Sequence, residues 1–290
     1  MPTYLVAGAS GHTGSVIAQS LLDQKQKVRV LLHDAAKGER WKKRGAEVAV
    51  ASVEDPHGLA NALRGTDAAY LLVPPPPPTA TGVLLRSRRI VEAFVQTVGG
   101  SHLKHVVFLS SLGAQHEKGT GIIQALHAAE KALSALKIPF TFLRAGAFVE
   151  NWVPSLPAAK DGQLPTFLPA DLKYPQVATR DIGLLASALL SEHPKAHRVV
   201  ELGGPVDASP NDVASALGKL LASEVKVAAH PVGQMAAAMQ GFGFSAELGG
   251  LFQEMMEGMI AGRVAFEHPE TVRKGKETLE QTLGTLLKTL

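Results

Sequence analysis

A short apolar run, Thr3-Tyr4-Leu5-Val6-Ala7, leads into three glycines at G-x-x-G-x-x-G spacing, Gly8, Gly11 and Gly14. An amphipathic run from Ser15 to Leu22 follows at once. This is a strand, a glycine turn and a helix start. Such a turn lets backbone N–H groups and the positive end of a helix dipole face a pyrophosphate. Glycine triplets also serve ordinary turns, so context decides. The next apolar run, Lys27 to Leu32, completes a βαβ unit, which is the setting the motif needs. A dinucleotide is the ligand class implied.

Strand and helix patterns then alternate. Strands are expected at Tyr4–Gly8, Val28–Leu32, Glu47–Ala51, Ala68–Val73, His105–Ser110 and Phe140–Arg144. Several are continuous apolar runs, as parallel strands covered on both faces require. Helices are expected at Ser15–Leu22, around Lys37–Arg44, and at Gly58–Leu63, Leu85–Val98 and Ile122–Leu136. This alternation predicts an α/β fold, a Rossmann-type doubly wound parallel sheet. After Arg144 the pattern loosens into Gly/Pro-rich loops. A helix at Asp181–Ser191 and a strand at Val199–Leu202 return to the sheet. Ser209 and Pro210 read as the N-cap and first turn of a helix. The rest predicts a smaller, mostly helical C-terminal substrate lobe. Its Gly241-Phe242-Gly243-Phe244 segment is expected to be a mobile lid, and an amphipathic helix is expected at Thr278–Leu290. The expected division is 1–153 with 176–203 for the dinucleotide-binding domain, and 154–175 with 204–290 for the lobe.

Of the 290 residues, 46% are hydrophobic and 19% charged, enough for a sizeable buried core. No apolar run is long enough to span a bilayer and no signal-peptide pattern precedes the first strand, so a cytoplasmic protein is expected. Cysteine is absent, which excludes disulfides and thiolate chemistry. The histidines form no H-x-x-x-H or H-E-x-x-H pair, so no metal is expected. Net charge is only +3 and aromatics are 5% of the chain, which argues against a nucleic-acid surface. The basic groups, among them Arg40/Lys42/Lys43/Arg44, read as solvated faces. A homodimer is left open.

Beyond the second strand lie His33, Asp34 and Lys37, where an adenosine ribose would sit. Basic residues there favour a 2′-phosphate and an acidic one favours the free 2′-hydroxyl, so His33 and Lys37 lean towards NADP(H), with NAD(H) still open. Pro74 to Pro78 follow the fourth strand. They are either a polyproline ligand for a partner module or, as their position favours, a stiff loop where cofactors bind. His127 and Lys131 are four apart on one helix face. A short-chain dehydrogenase would hold Tyr and Lys there. His127 is either a proton donor or a surface histidine beside a Glu130–Lys131 pair. Gly146 would permit close backbone approach to a ligand. Phe148 and Trp152 would either stack on a flat substrate or pack between lobes.

The Gly-Ala-Ser-Gly-His-Thr-Gly turn, the His127…Lys131 helix, the Leu143-Arg144-Ala145-Gly146-Ala147-Phe148-Val149-Glu150-Asn151-Trp152 loop and Val177-Ala178-Thr179-Arg180-Asp181-Ile182-Gly183 together resemble the NmrA-like atypical short-chain dehydrogenase/reductase family. Within it the chain is most similar to type 2 NAD(P)H:quinone oxidoreductases and triphenylmethane reductases. The resemblance implies that Gly8, Ala9, Ser10, Gly11, His12 and Thr13 hold the pyrophosphate and that Gly14 packs the helix on the strand. It implies that His33, in place of the usual Arg, and Lys37 meet the 2′-phosphate. It places Ser52 and Val53 at the adenine, Val73, Pro74 and Pro75 over the cofactor, and Gly146, Ala147 and Phe148 at the nicotinamide. Arg180 matches an Arg of the Thr-Arg-Asp segment.

The reaction implied is hydride transfer from NADPH to a quinone or similar flat acceptor. A hydroquinone anion spreads its charge over a ring, so the missing Tyr acid is tolerable. Lys131 would stand on the ribose side, with Phe148 and Trp152 at the pocket wall. Two alternatives stay open: an NADP(H)-sensing regulator without turnover, and an isoflavone-reductase-like enzyme on a phenolic substrate.

Overall fold

A computed structural model describes residues 1–289. In chain order its elements begin β1 (Thr3–Ala7), α1 (His12–Asp23), β2 (Lys27–Leu32), α2 (Glu39–Lys42), β3 (Glu47–Val50), α3 (Pro56–Leu63) and β4 (Ala68–Leu71). They continue with α4 (Val83–Gly99), β5 (His105–Ser111), α5 (Gln124–Leu133), β6 (Phe140–Ala145), β7 (Ala147–Phe148), α6 (Leu156–Lys160), β8 (Gln163–Thr166) and β9 (Gln176–Val177). The remainder is α7 (Thr179–Leu190), β10 (Arg198–Gly203), α8 (Pro210–Leu221), β11 (Lys226–Ala229), α9 (Met235–Gly241), α10 (Ala246–Ile260), β12 (Arg273–Lys274) and α11 (Leu279–Leu287).

Eight strands form one sheet in the order β12-β10-β6-β5-β4-β1-β2-β3, and the neighbouring pairs run parallel. The doubly wound prediction is met. Strand order reverses between β1 and β4, and ligands of such sheets bind outside the carboxyl ends of the strands there. One face of the sheet is covered by α1 and α7 over Val6, Ile17, Val30, Ile182 and Leu189. The other is covered by α3, α4 and α5, where Phe94, Phe108, Phe140 and Phe142 pack edge-on and stacked. Burying each such ring contributes about 1.5–3 kcal/mol, and only a strand covered on both faces can bury successive residues.

Beyond the sheet, α6, α8 and α11 enclose Trp152, Leu156, Val213, Leu217 and Leu283. The predicted start of α8 holds: Ser209 and Asp212 form a reciprocal capping box with Pro210 in the first turn. The final helix also begins as predicted, with Thr278 and Gln281 forming a second capping box. Its expected end, Leu290, lies outside the described residues. A further apolar group joins Leu112, Ile123, Tyr174 and Met259. Beyond residue 204, Arg273–Lys274 returns to the main sheet and pairs with Leu202–Gly203. No helix among the described residues is long and apolar enough to cross a membrane.

Candidate functional site

The glycine turn sits at the carboxyl end of β1, beside the point where strand order reverses. Gly8 has φ +67°, a conformation that suits glycine. A Cβ at Gly14 would lie 2.4 Å from the Gly8 carbonyl oxygen, so α1 packs on the turn only because residue 14 has no side chain. Thr13 Oγ1 and the Tyr70 hydroxyl, both buried, hydrogen-bond at 2.9 Å and fix the helix start to β4. Burial pushes the Tyr70 phenol well above its ordinary pKa, so it stays neutral. The N-cap, Gly11, offers no side-chain acceptor and the first turn carries no acidic residue. The first N–H groups of α1 therefore have no side-chain cap, as an anion site requires. Ser10 and exposed His12 flank that opening. The turn fits a pyrophosphate.

His33 and Lys37 are both exposed beyond β2. Asp34 has a local duty: its Oδ1 accepts from the Ala36 N–H at 2.9 Å and caps a short turn. Ser52 is likewise turned to its own loop, accepting from the Glu54 N–H at 3.1 Å, and Val53 packs on the core.

Val73, Pro74 and Pro75 leave β4 as a strap held at both ends. Arg86 donates to the Pro74 carbonyl at 3.2 Å and pairs with Glu54 at 2.7 Å. At the far end Ser245, the N-cap of α10, donates its N–H to Pro78 at 2.9 Å and its hydroxyl to Ala80 at 2.5 Å. The Glu247 carboxylate accepts from the N–H groups of Gly82 and Val83 at 2.6 and 2.8 Å and so caps α4. The strap is thus a stiff intramolecular loop, in line with the favoured reading of the proline run. The Gly241–Phe244 segment is the turn between α9 and α10, with Phe242 82% exposed.

On α5 the structure revises the sequence reading. His127 is half-buried and its Nδ1 donates to the Ala114 carbonyl at 2.9 Å. A carbonyl only accepts, so this partner assigns the Nδ1–H tautomer and leaves Nε2 for a ligand. Lys131 is exposed. It does not pair with Glu130, which is only 8% exposed and turns inward to Arg144. Arg144 and Ser110 lie at the carboxyl ends of β6 and β5. The Ser110 hydroxyl donates to Glu130 at 2.5 Å, and Arg144 donates to Glu130 and, at 2.6 Å, to Glu267. Burial alone would lower the Arg144 pKa, but the hydrogen bonds and charge of Glu130 and Glu267 outweigh it and hold the guanidinium above its ordinary value. No local sequence pattern signals this network, because Glu130 beside a lysine reads as a surface pair.

The loop after β6 also departs from expectation. Gly146 admits chain rather than ligand: a Cβ there would meet the Pro175 carbonyl oxygen at 2.9 Å. Trp152 is a core residue, 7% exposed, with its indole N–H donating to Gln176 at 2.8 Å. It packs with Val149, Leu156 and Val213 and is not a pocket wall. Ala147 and Phe148 remain half-buried in β7, paired with β9. Ala147 shares its apolar cluster with Ile122, Leu126, Met255, Met256 and Phe266, which are also only partly buried, whereas Phe148 packs on the α1/α7 side. Arg180 is exposed and pairs with Glu277 at 3.5 Å. The segment around it is structural. Thr179 is bound by Glu150 through its N–H and hydroxyl, Asp181 accepts the N–H groups of Lys276 and Glu277, and Gly183 packs on Val16 and Thr13 of α1.

The model of the NmrA-like family matches residues 2–277. An NAD(P)H azoreductase of Xenophilus azovorans is 26% identical over 253 residues, covering 87% of this chain and 85% of the relative. Quinone oxidoreductase 2 of Escherichia coli (strain K12) is 24% identical over 271 residues, covering 93% and 92%. The crystal structure of an NADPH-dependent quinone oxidoreductase from Escherichia coli, complexed with NADPH, superposes with a TM-score of 0.79 at 22% identity, over 98% of this chain and 99% of that one. That overlap shows the fold. With the family match spanning nearly the whole length, the chain belongs to the NmrA-like family.

Proposed function

We propose that the protein is an NAD(P)H-dependent reductase that passes hydride to a quinone or a similarly flat, conjugated acceptor. The observation that carries this reading is the uncapped start of α1 behind a glycine turn too tight for a side chain at residue 14. Relatives named as an azoreductase and a quinone oxidoreductase support the acceptor class. A cytoplasmic setting goes with this reading.

A reduced nicotinamide supplies the hydride when bound. The protein's own residues do the rest. Gly8 to Thr13 would hold the pyrophosphate, with the Gly11 N–H kept inside the turn on the Gly8 carbonyl, and the Val73–Pro75 loop would lie over the cofactor. Phe148, half-buried after β6, and separately the thioethers of Met255 and Met256 on α10 are the apolar side chains that would face a flat ring. Lys131, exposed on α5, would stand on the ribose side. His127, with Nδ1 held by Ala114, presents Nε2, which carries a proton only when the ring is charged. A quinone needs no strong acid, because the charge left after hydride addition is delocalised. Positioning and desolvation therefore suffice.

Steady-state assays with NADPH and a panel of quinones test this, with Gly11→Trp as the blocked control. Turnover well above the control is expected. NADPH binding with no turnover on any acceptor would sink the enzyme reading and favour a sensor.

A further inference from the structure

In a doubly wound fold the 2′ end of the adenosine ribose falls between the end of β2 and the glycine turn. His33 and Lys37 are exposed there, and the structure adds a third cation. Arg40 of α2 donates Nη2 to the Ala9 carbonyl at 2.8 Å, inside the glycine turn. Its guanidinium lies over the Trp41 ring, 5.0 Å from the centroid, and Trp41 is 1% exposed. The arginine is therefore held by a backbone acceptor and by a ring that is itself locked in the core. A guanidinium has five N–H donors, so one bond to Ala9 leaves a donor edge for a ligand.

The nearby carboxylates are engaged elsewhere. Asp34 caps the turn at Ala36, and Glu39 pairs with Lys42 at 3.0 Å. Among the described residues neither His33, Lys37 nor Arg40 forms an ion pair with a carboxylate. On its other side Arg40 borders a groove of about 490 Å³ that runs along α1 between α2 and α7, with Ser15, Asp23, Arg44 and Arg180 in its lining.

We infer that Arg40 is the residue that selects the 2′-phosphate of NADP(H), doing from α2 what an arginine at position 33 would do from the end of β2. The inference rests on the dinucleotide reading above. A phosphate accepts two parallel hydrogen bonds from a guanidinium, which a lysine or histidine cannot reproduce. The cation–π contact with Trp41 and the Ala9 bond hold the guanidinium beside the turn that would receive the pyrophosphate. Lys37 adds charge without direction.

The test is calorimetric titration of 2′,5′-ADP and 5′-AMP into the wild type, Arg40→Gln and Arg40→Lys, beside fluorescence titration of NADPH and NADH. The wild type is expected to prefer 2′,5′-ADP by about tenfold or more, as for a charge-assisted bond. Arg40→Gln should remove that preference and leave 5′-AMP binding within about twofold, while Arg40→Lys keeps part of it. An Arg40→Gln protein that retains the preference overturns the inference. So does one that weakens both nucleotides equally, which would make Arg40 a support for the turn only. Equal wild-type affinity for NADPH and NADH overturns it and leaves the reductase reading standing. Binding of neither cofactor overturns both.

Discussion

The Arg144 guanidinium grips Glu130 through two parallel hydrogen bonds, Nε to Oε1 at 3.0 Å and Nη2 to Oε2 at 2.7 Å. Both side chains are buried, and the pair joins the end of β6 to the middle of α5. Removing one partner of a buried pair leaves a charge without compensation and costs about 3–5 kcal/mol. Arg144→Met is expected to lose that much in urea unfolding, and Glu130→Gln somewhat less because an amide keeps one acceptor. Since α5 also carries His127, acceptor KM should rise in Glu130→Gln. A Glu130→Gln protein as stable as the wild type would refute this account of the network.

Gly14 and Gly11 separate folding from binding. A methyl group at residue 14 meets backbone at 2.4 Å, so Gly14→Ala is expected to cost about 1–3 kcal/mol of stability and the cofactor site with it. At residue 11 the nearest atom to an added Cβ is the Gly8 oxygen at 3.4 Å, so Gly11→Ala should fold within about 1 kcal/mol of the wild type. Its methyl group nevertheless stands at the mouth of the turn, where close backbone approach is needed. NADPH affinity is expected to fall about tenfold or more. Thermal melts with and without NADPH distinguish the two variants: both should lose the ligand-induced shift, but only Gly14→Ala should melt early on its own.

His105, at the start of β5, is fully buried, with Nε2 on the Thr141 hydroxyl at 2.9 Å. Burial first, then the charge of Arg198, lowers its pKa to about 4. The unfolded chain takes up this proton near pH 6.5 and the folded protein only near pH 4, so stability falls as pH drops through that window. The full loss is about 3 kcal/mol and levels off below pH 4. Comparing His105→Gln with the wild type in denaturant at pH 4.5 and pH 7 isolates this histidine from the carboxylates. The difference between the two proteins should shrink at the lower pH, and a constant difference would contradict the assignment.

For His127, a general acid that mattered would be worth about 10²–10⁴-fold in rate. With a quinone acceptor the developing charge is delocalised, and His127→Gln is expected to lower kcat less than about tenfold. The pH–rate profile decides the point. A loss of two orders of magnitude, with a wild-type fall at rising pH that flattens in the variant, would make the protonated imidazole the donor.

The sheet and the glycine turn were legible because both are written in neighbouring residues: apolar runs mark the strands and the glycine spacing marks the turn. The β2 end was only half legible. Asp34 looked like a vote against a 2′-phosphate until its Oδ1 was seen to serve Ala36, a bond that depends on local backbone shape. Arg40 read as solvent charge because nothing in its neighbourhood announces that Ala9, 31 residues earlier, is its partner. The loop after β6 misled for a related reason. Gly146 and Trp152 have the residue types of a ligand site, but Pro175 and Gln176 claim them. Glu150, not singled out, caps α7 across 29 residues. Side chains whose partners lie far along the chain carry no periodic signal.

The strand Arg273–Lys274 bears on how the chain is made. It covers the outer edge of β10, while Asp181 holds Lys276 and Glu277 just beyond it. A ribosome must therefore translate past residue 274 before the sheet can be finished. Until then the backbone of Leu202–Gly203 is an open edge, able to recruit a strand from another nascent chain. Proteins shortened before residue 273 are expected to reach the aggregate fraction in proportion to how long that edge stays bare.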